Sequence, residues 1–223
     1  MAARPGALEL SAPGTALLDE PLVVRVRGAG EKPPSLLWRA RVRDDDGRVW
    51  RATAKSPGEL AAAWDPAKDT TGDVAALQSM RPVQLDLRVE ASDGRGATRT
   101  LTRRLLADGV RVRRWREGVT ATLLLPAVPP TAAIVAAVTP AGLPAAALLA
   151  SRGVLVFAVR EPRQLDRGIE LLADVPAAAM PEGARRFDDP LPLPPGLPAR
   201  TTPDDAAWDA LLAELSATPR ELG

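Results

Sequence analysis

Every second residue of Val83-Gln84-Leu85-Asp86-Leu87-Arg88-Val89-Glu90 is apolar. A period of two places those side chains on one face of an extended chain and the charged ones on the other. Such a segment is a strand with one dry face, and it needs neighbouring strands and a core to cover that face. The pattern recurs upstream. Leu22-Val23-Val24-Arg25-Val26-Arg27 ends at Gly28, Leu37 to Arg43 runs into Asp44-Asp45-Asp46-Gly47, and Arg48 to Ala54 follows at once. Asp-Gly between two alternating runs is a hairpin signal. Asp93-Gly94-Arg95-Gly96 joins the Val83 strand to Ala97 to Arg103 in the same way, and Val110 to Arg113 continues the series. Short strands at this spacing predict a small antiparallel β-sandwich over residues 1–116.

After Trp115 the pattern changes. Thr120 to Leu125 and Ala132 to Val138 are uniformly apolar or small, which suits strands covered on both faces. Leu143 to Arg152 places Pro144 in the first turn and Gly153 at the stop of a helix. Val154 to Val159 is the next buried strand, and Gln164 to Ala173 a second helix with Leu165, Ile169 and Leu172 on one face. Strand, helix, strand, helix predicts a parallel crossover, so residues 117–176 are expected to form a truncated α/β (βαβα) unit. Residues 177–203, with Pro190-Leu191-Pro192-Leu193-Pro194-Pro195, read as an extended connector with no fold of its own. Thr202-Pro203-Asp204-Asp205 then opens a C-terminal amphipathic helix over 204–223, with Trp208, Leu211, Leu212 and Leu215 at helical spacing. The expected class is mainly β.

Residues 118–151 carry no charge and are long enough to cross a bilayer, but Pro126, Pro129, Pro130, Pro140 and Pro144 cut the run into short pieces. No membrane span is expected. Glu9 interrupts the apolar stretch that a secretory leader would need, so the expected location is cytoplasmic. The formal net charge of +1 gives no global field to attract nucleic acid, and none is expected as a partner.

The chain has no His, no Cys and no Tyr. Imidazole bases, thiolate nucleophiles and the usual zinc or haem ligands are therefore absent, and neither a metal nor a cofactor is expected. No serine has Gly-x-Ser-x-Gly surroundings. Ser79 follows Leu77-Gln78, and Ser151 closes a helix instead of standing at a strand-to-helix turn.

Three segments in order, Leu17 to Gly28, Arg41 to Trp50, and Thr71-Gly72-Asp73 through Leu77-Gln78-Ser79-Met80, resemble the acyl-CoA thioesterase and bile acid-CoA:amino acid N-acyltransferase family. The resemblance covers roughly residues 15–175. It implies an immunoglobulin-like sandwich followed by the start of an α/β-hydrolase domain, with Gly118 to Leu125 and Ala145 to Val154 in that second part. That family's nucleophile, acid and His lie downstream of the similar region, so no catalytic residue is carried over. In place of the family's Gly-rich oxyanion turn stands Val138-Thr139-Pro140-Ala141-Gly142, where Pro140 removes an amide donor. Losing one such donor costs about 3–4 kcal/mol in barrier.

Other candidates are weighed against plainer roles. Asp44, Asp45 and Asp46 are clustered carboxylates, but an acidic hairpin turn needs only solvent, whereas a calcium loop needs further ligands at fixed spacing. Asp19 and Glu20, if adjacent on a strand, point to opposite faces and cannot flank one substrate atom. Arg99, Arg103, Arg104, Arg111, Arg113, Arg114 and Arg116 with Trp115 form the one locally basic segment. Alternating arginines describe a solvated strand face, while phosphates, those of CoA included, are the ligands they would otherwise grip. Trp38, Trp50, Trp64 and Trp115 are read as core. The face of Trp208, Leu211, Leu212 and Leu215 is expected either to dock on its own chain or to meet a protein partner or a second copy.

The reading that follows is a non-catalytic, truncated relative of acyl-CoA thioesterases and acyltransferases, a binding or assembly module for which the resemblance implies acyl-CoA as ligand. The alternative is an acyl-CoA thioester hydrolase or N-acyltransferase whose catalytic half is supplied by a second chain.

Overall fold

The computed structural model describes residues 7–28, 35–43, 47–62, 64–65, 79–116, 118–175, 183–198 and 204–217. The protein is mainly β. It forms two compact units, one of residues 1–77, 81–104 and 196–203, the other of 78–80, 105–195 and 204–223.

The first unit contains β1 (Glu9–Ser11), β2 (Thr15–Leu17), β3 (Arg25–Arg27), β4 (Leu36–Arg43), β5 (Val49–Ala54), β6 (Trp64–Asp65), β7 (Val83–Ala91) and β8 (Gly96–Arg104). Six of these make a sheet in the order β2-β8-β7-β4-β5-β6, and β1 pairs with β3 in a separate two-stranded sheet. Alternation does what period two requires. Trp38, Ala40 and Val42 of β4, Trp50 and Ala52 of β5, and Val83, Leu85, Leu87 and Val89 of β7 are buried on one face, with Leu8, Leu10, Leu18 and Leu60 completing that core. Sandwich pairing is antiparallel except at one edge, where β2 runs parallel to β8.

The second unit is built on β9 (Arg111–Trp115), β10 (Ala121–Leu125), β11 (Ala132–Ala137), α1 (Leu143–Ser151), β12 (Val154–Val159), α2 (Leu165–Ala173), β13 (Arg185–Phe187) and α3 (Asp205–Ala217). Its sheet has the order β13-β11-β12-β10-β9. β9, β10 and β12 are antiparallel in turn, whereas β11 is parallel to both β12 and β13. The uncharged run over 118–151 is thus two strands and a nine-residue helix. No helix among the described residues is long and apolar enough to cross a membrane. Glycine serves α1 and α2 differently. Gly153 (φ +93°) takes the left-handed conformation that ends α1. Gly168 lets α2 lie close on the sheet, because a Cβ there would stand 2.7 Å from Val135 Cγ1.

Two expectations change. The first unit's sheet ends at Arg104, not at 116, and β9 belongs to the second sheet through its ladder with β10. An alternating Arg-rich strand looks the same on the edge of either sheet. The connector over 177–203 is not featureless, because Arg185–Phe187 pairs with β11 and Leu191 and Leu197 are buried. The cap of α3 is Asp204, whose Oδ1 accepts the Ala207 N–H at 2.9 Å. Thr202, Asp44 to Asp46 and Thr71 to Gln78 lie outside the described residues.

Candidate functional site

The basic segment is divided by the fold. Arg99, Arg103 and Arg104 belong to β8 of the first unit, while Arg111, Arg113, Arg114 and Arg116 lie on or just after β9 of the second. Arg103 is structural. Only 7% exposed, it donates from Nη2 to Leu18 O at 2.9 Å and also to Glu20 O, closing the turn after β2. Burial pushes its pKa down, opposed by the negative charges of Glu20 and Asp19. Asp19 and Glu20 themselves lie in that turn and not on a strand. The Glu20 carboxylate accepts the Leu17 N–H at 3.0 Å.

Arg114 has a different setting. Register places Arg114, Thr122 and Ala158 side by side across β9, β10 and β12. Just beyond lie the carboxyl ends of the parallel strands β11 and β12, where ligands of open α/β sheets bind. There a crevice of about 360 Å³ is lined by Arg114, Arg116 and Arg160 with Thr122, and by the apolar Pro140, in the turn before α1, and Leu143, at the start of that helix. All three arginines are exposed, and none has a carboxylate partner among the described residues. Arg160 is held in place by its backbone N–H, which donates to Thr120 O at 3.1 Å. Trp115 closes one side while its ring meets Phe157 edge-on, with centroids 5.8 Å apart. It packs in the second unit's core, whereas Trp38 and Trp50 are core of the first unit and Trp64 is half-buried.

Among the described residues the crevice lining includes no carboxylate and no serine, and its hydroxyls, those of Thr120 and Thr122, have no carboxylate, imidazole or amine base beside them in that lining. Both strand-to-helix turns, Val138 to Gly142 and Arg160 to Gln164, lack serine. No non-glycine residue among the described ones has positive φ, the kind of strained backbone on which a nucleophile elbow depends. In the first turn the Gly142 N–H donates to Thr139 O and the Leu143 N–H to Pro140 O, so these amides are committed internally. Among the described residues no three or more acidic side chains gather as a metal site.

Trp208, Leu211 and Leu215 of α3 are 1, 5 and 2% exposed, so that face is covered by the chain itself, with Leu212 half-buried. What sequence reasoning missed is the joining of Arg160 to Arg114 and Arg116. They sit far apart along the chain, and only the β10–β12 ladder unites them. No family model, curated protein or solved structure matches the chain.

Proposed function

We propose that the chain is a non-catalytic binding module, a shortened relative of the acyl-CoA thioesterases and N-acyltransferases, and that the crevice bounded by Arg114, Arg116 and Arg160 takes a phosphate-bearing ligand of the acyl-CoA class. The observation that carries the reading is three guanidinium groups, without carboxylate partners among the described residues, around a space whose described lining holds no general base. Arginine in such a setting grips phosphate oxygens with paired, charge-assisted hydrogen bonds. The apolar wall of Pro140 and Leu143 suits a ligand that is not charged throughout. The family resemblance is supported by topology. An antiparallel pair followed by parallel strands, in the order first, second, fourth, third, fifth, is how an α/β-hydrolase sheet begins.

The test is titration of the purified chain with CoA and with a short acyl-CoA, with thioester cleavage followed in the same samples. Saturable binding without cleavage is expected, and Arg114→Gln with Arg160→Gln should weaken it at least about tenfold, the loss of one charge-assisted contact or more. Cleavage by the homogeneous chain alone overturns the non-catalytic reading. Binding untouched by the double substitution overturns the crevice as the site.

A further inference from the structure

The exposed face of the six-stranded sheet carries a second arrangement of arginines that chain order conceals. Two rows cross the sheet. In one, Asp65, Arg51, Arg41, Asp86 and Thr100 stand opposite one another on β6, β5, β4, β7 and β8, so an acid flanks the arginine pair on each side. In the next, two residues along, stand Thr53, Arg39, Arg88 and Thr98. Each row thus sets one arginine directly against another, Arg41 against Arg51 and Arg39 against Arg88. Like charges in directly opposed positions destabilise a sheet, and an ordinary wet face alternates signs instead.

The two pairs are treated differently by their surroundings. Glu90 lies between Arg39 and Arg88, at 2.9 Å from the first and 2.6 Å from the second, and neutralises part of their charge. Asp86, the acid beside Arg41, accepts the Thr100 hydroxyl at 2.7 Å. Arg41 and Arg51 have neither an ion pair nor a side-chain hydrogen bond among the described residues. Between the rows the face forms a shallow dish of about 680 Å³. Neighbouring strands are roughly 4.8 Å apart and successive same-face residues roughly 7 Å apart, so the long side chains of the two arginine pairs can converge on one short chain of linked phosphates, which a single phosphate is too small to span.

We propose that this dish binds a compact ligand carrying two or more linked phosphates, the first held between Arg41 and Arg51 and the second reached by Arg39 and Arg88, with the Thr53 and Thr98 hydroxyls at the rim. Charge complementarity selects the occupant, because the unneutralised pair is the feature a polyanion would relieve. The face favours a small oligophosphate over nucleic acid. Its described aromatic residues, Trp38, Trp50 and Trp64, stand at core-facing register positions, with Trp64 opposite buried Ala52, so the exposed face offers no aromatic platform on which a base could stack. Asp65, Asp86 and Glu90 also interrupt the positive field that an extended backbone would follow.

The test uses the full chain with inorganic tripolyphosphate, orthophosphate and a single-stranded oligonucleotide as probes, followed by calorimetry. Tripolyphosphate is expected to bind saturably, at least about tenfold tighter than orthophosphate, since only the former spans both pairs. Arg41→Gln with Arg51→Gln should weaken it about tenfold or more, while Arg114→Gln with Arg160→Gln leaves it unchanged, which separates this site from the crevice. Absence of saturable binding, indifference to the Arg41 and Arg51 substitutions, loss through the crevice variant, or tighter binding of the oligonucleotide would each overturn the proposal.

Discussion

Ser151 Oγ accepts the backbone N–H of Ala107 at 2.9 Å, pinning the segment that leads into β9 to the last turn of α1. The same hydroxyl lies 2.9 Å from Ala147 O and 3.1 Å from Leu105 O, to which it donates. Its one proton and one of its two lone pairs are engaged within the fold. Ser151→Ala is expected to lower stability by about 1–3 kcal/mol, the cost of a part-buried amide left unpaired. Urea unfolding measures it. A neutral substitution would show the hydroxyl to be dispensable to the fold.

Gly168 sets the distance between α2 and the sheet. A Cβ there would approach Val135 Cγ1 at 2.7 Å, Val159 Cγ1 at 3.1 Å and Phe157 Cδ1 at 3.2 Å. All three neighbours are fully buried and have little room to give way. Overpacking costs about 1–3 kcal/mol, against about 1 kcal/mol that alanine gains in helix propensity. Gly168→Ala should therefore destabilise on balance, and thermal unfolding should give a lower midpoint. A rise in the midpoint would show that α2 can shift outward freely.

Acid titration should single out Asp93. Its side-chain hydrogen bond with Arg95 holds its carboxyl below the ordinary value of 3.8, and Arg95 Nη1 in turn donates to Gly28 O at 2.6 Å. A depressed carboxyl binds protons less tightly in the native state than in the unfolded chain. Its contribution to stability is whole above pH 3.8 and is lost as pH falls through the lower native value. A carboxyl titration followed by NMR should have its midpoint below 3.8, and Asp93→Asn should differ from the parent above that pH and converge with it in stronger acid. A midpoint at or above the ordinary value would refute the pairing.

Trp208 distinguishes a docked helix from one kept free for a partner. It is 1% exposed, and α3 is also tied to β13 by the 3.0 Å ion pair of Arg185 with Glu214. Trp208→Ala should remove about 3–5 kcal/mol, as for other large buried aromatics. Leu212→Ala, at the half-buried position, should cost less. Equal and small losses at both positions, read from chemical unfolding, would mean that the face is not engaged within the chain.

The longer strands of the two large sheets were legible in the residues because each has a clear environment, whereas β1, β2 and β6, of two or three residues, were not. β7 alternates since one face is wet, and β12 is apolar throughout since both faces are covered, Val154 to Val159 all being buried. Helix limits followed from Gly153 and the proline turns. The allegiance of β9 was not legible, because Arg111 to Trp115 has the composition of any exposed edge. β13 is three residues in a proline-rich stretch, too short for periodicity to register. The arginine groupings were hidden for a deeper reason. Arg39 meets Arg88, and Arg114 nears Arg160, through registers between strands distant in sequence, and the one basic cluster visible along the chain is the one the fold takes apart.

β13 borders the second sheet with three residues against the six of β11, and both of its arginines are engaged, Arg185 with Glu214 and Arg186 with Asp166 and Asp188. A rim so brief and so heavily ionised is a poor template for another strand. The protein is thereby guarded against self-templated fibre growth along that side, and a foreign polypeptide annealing to it must first displace those ions, a step that added salt should ease.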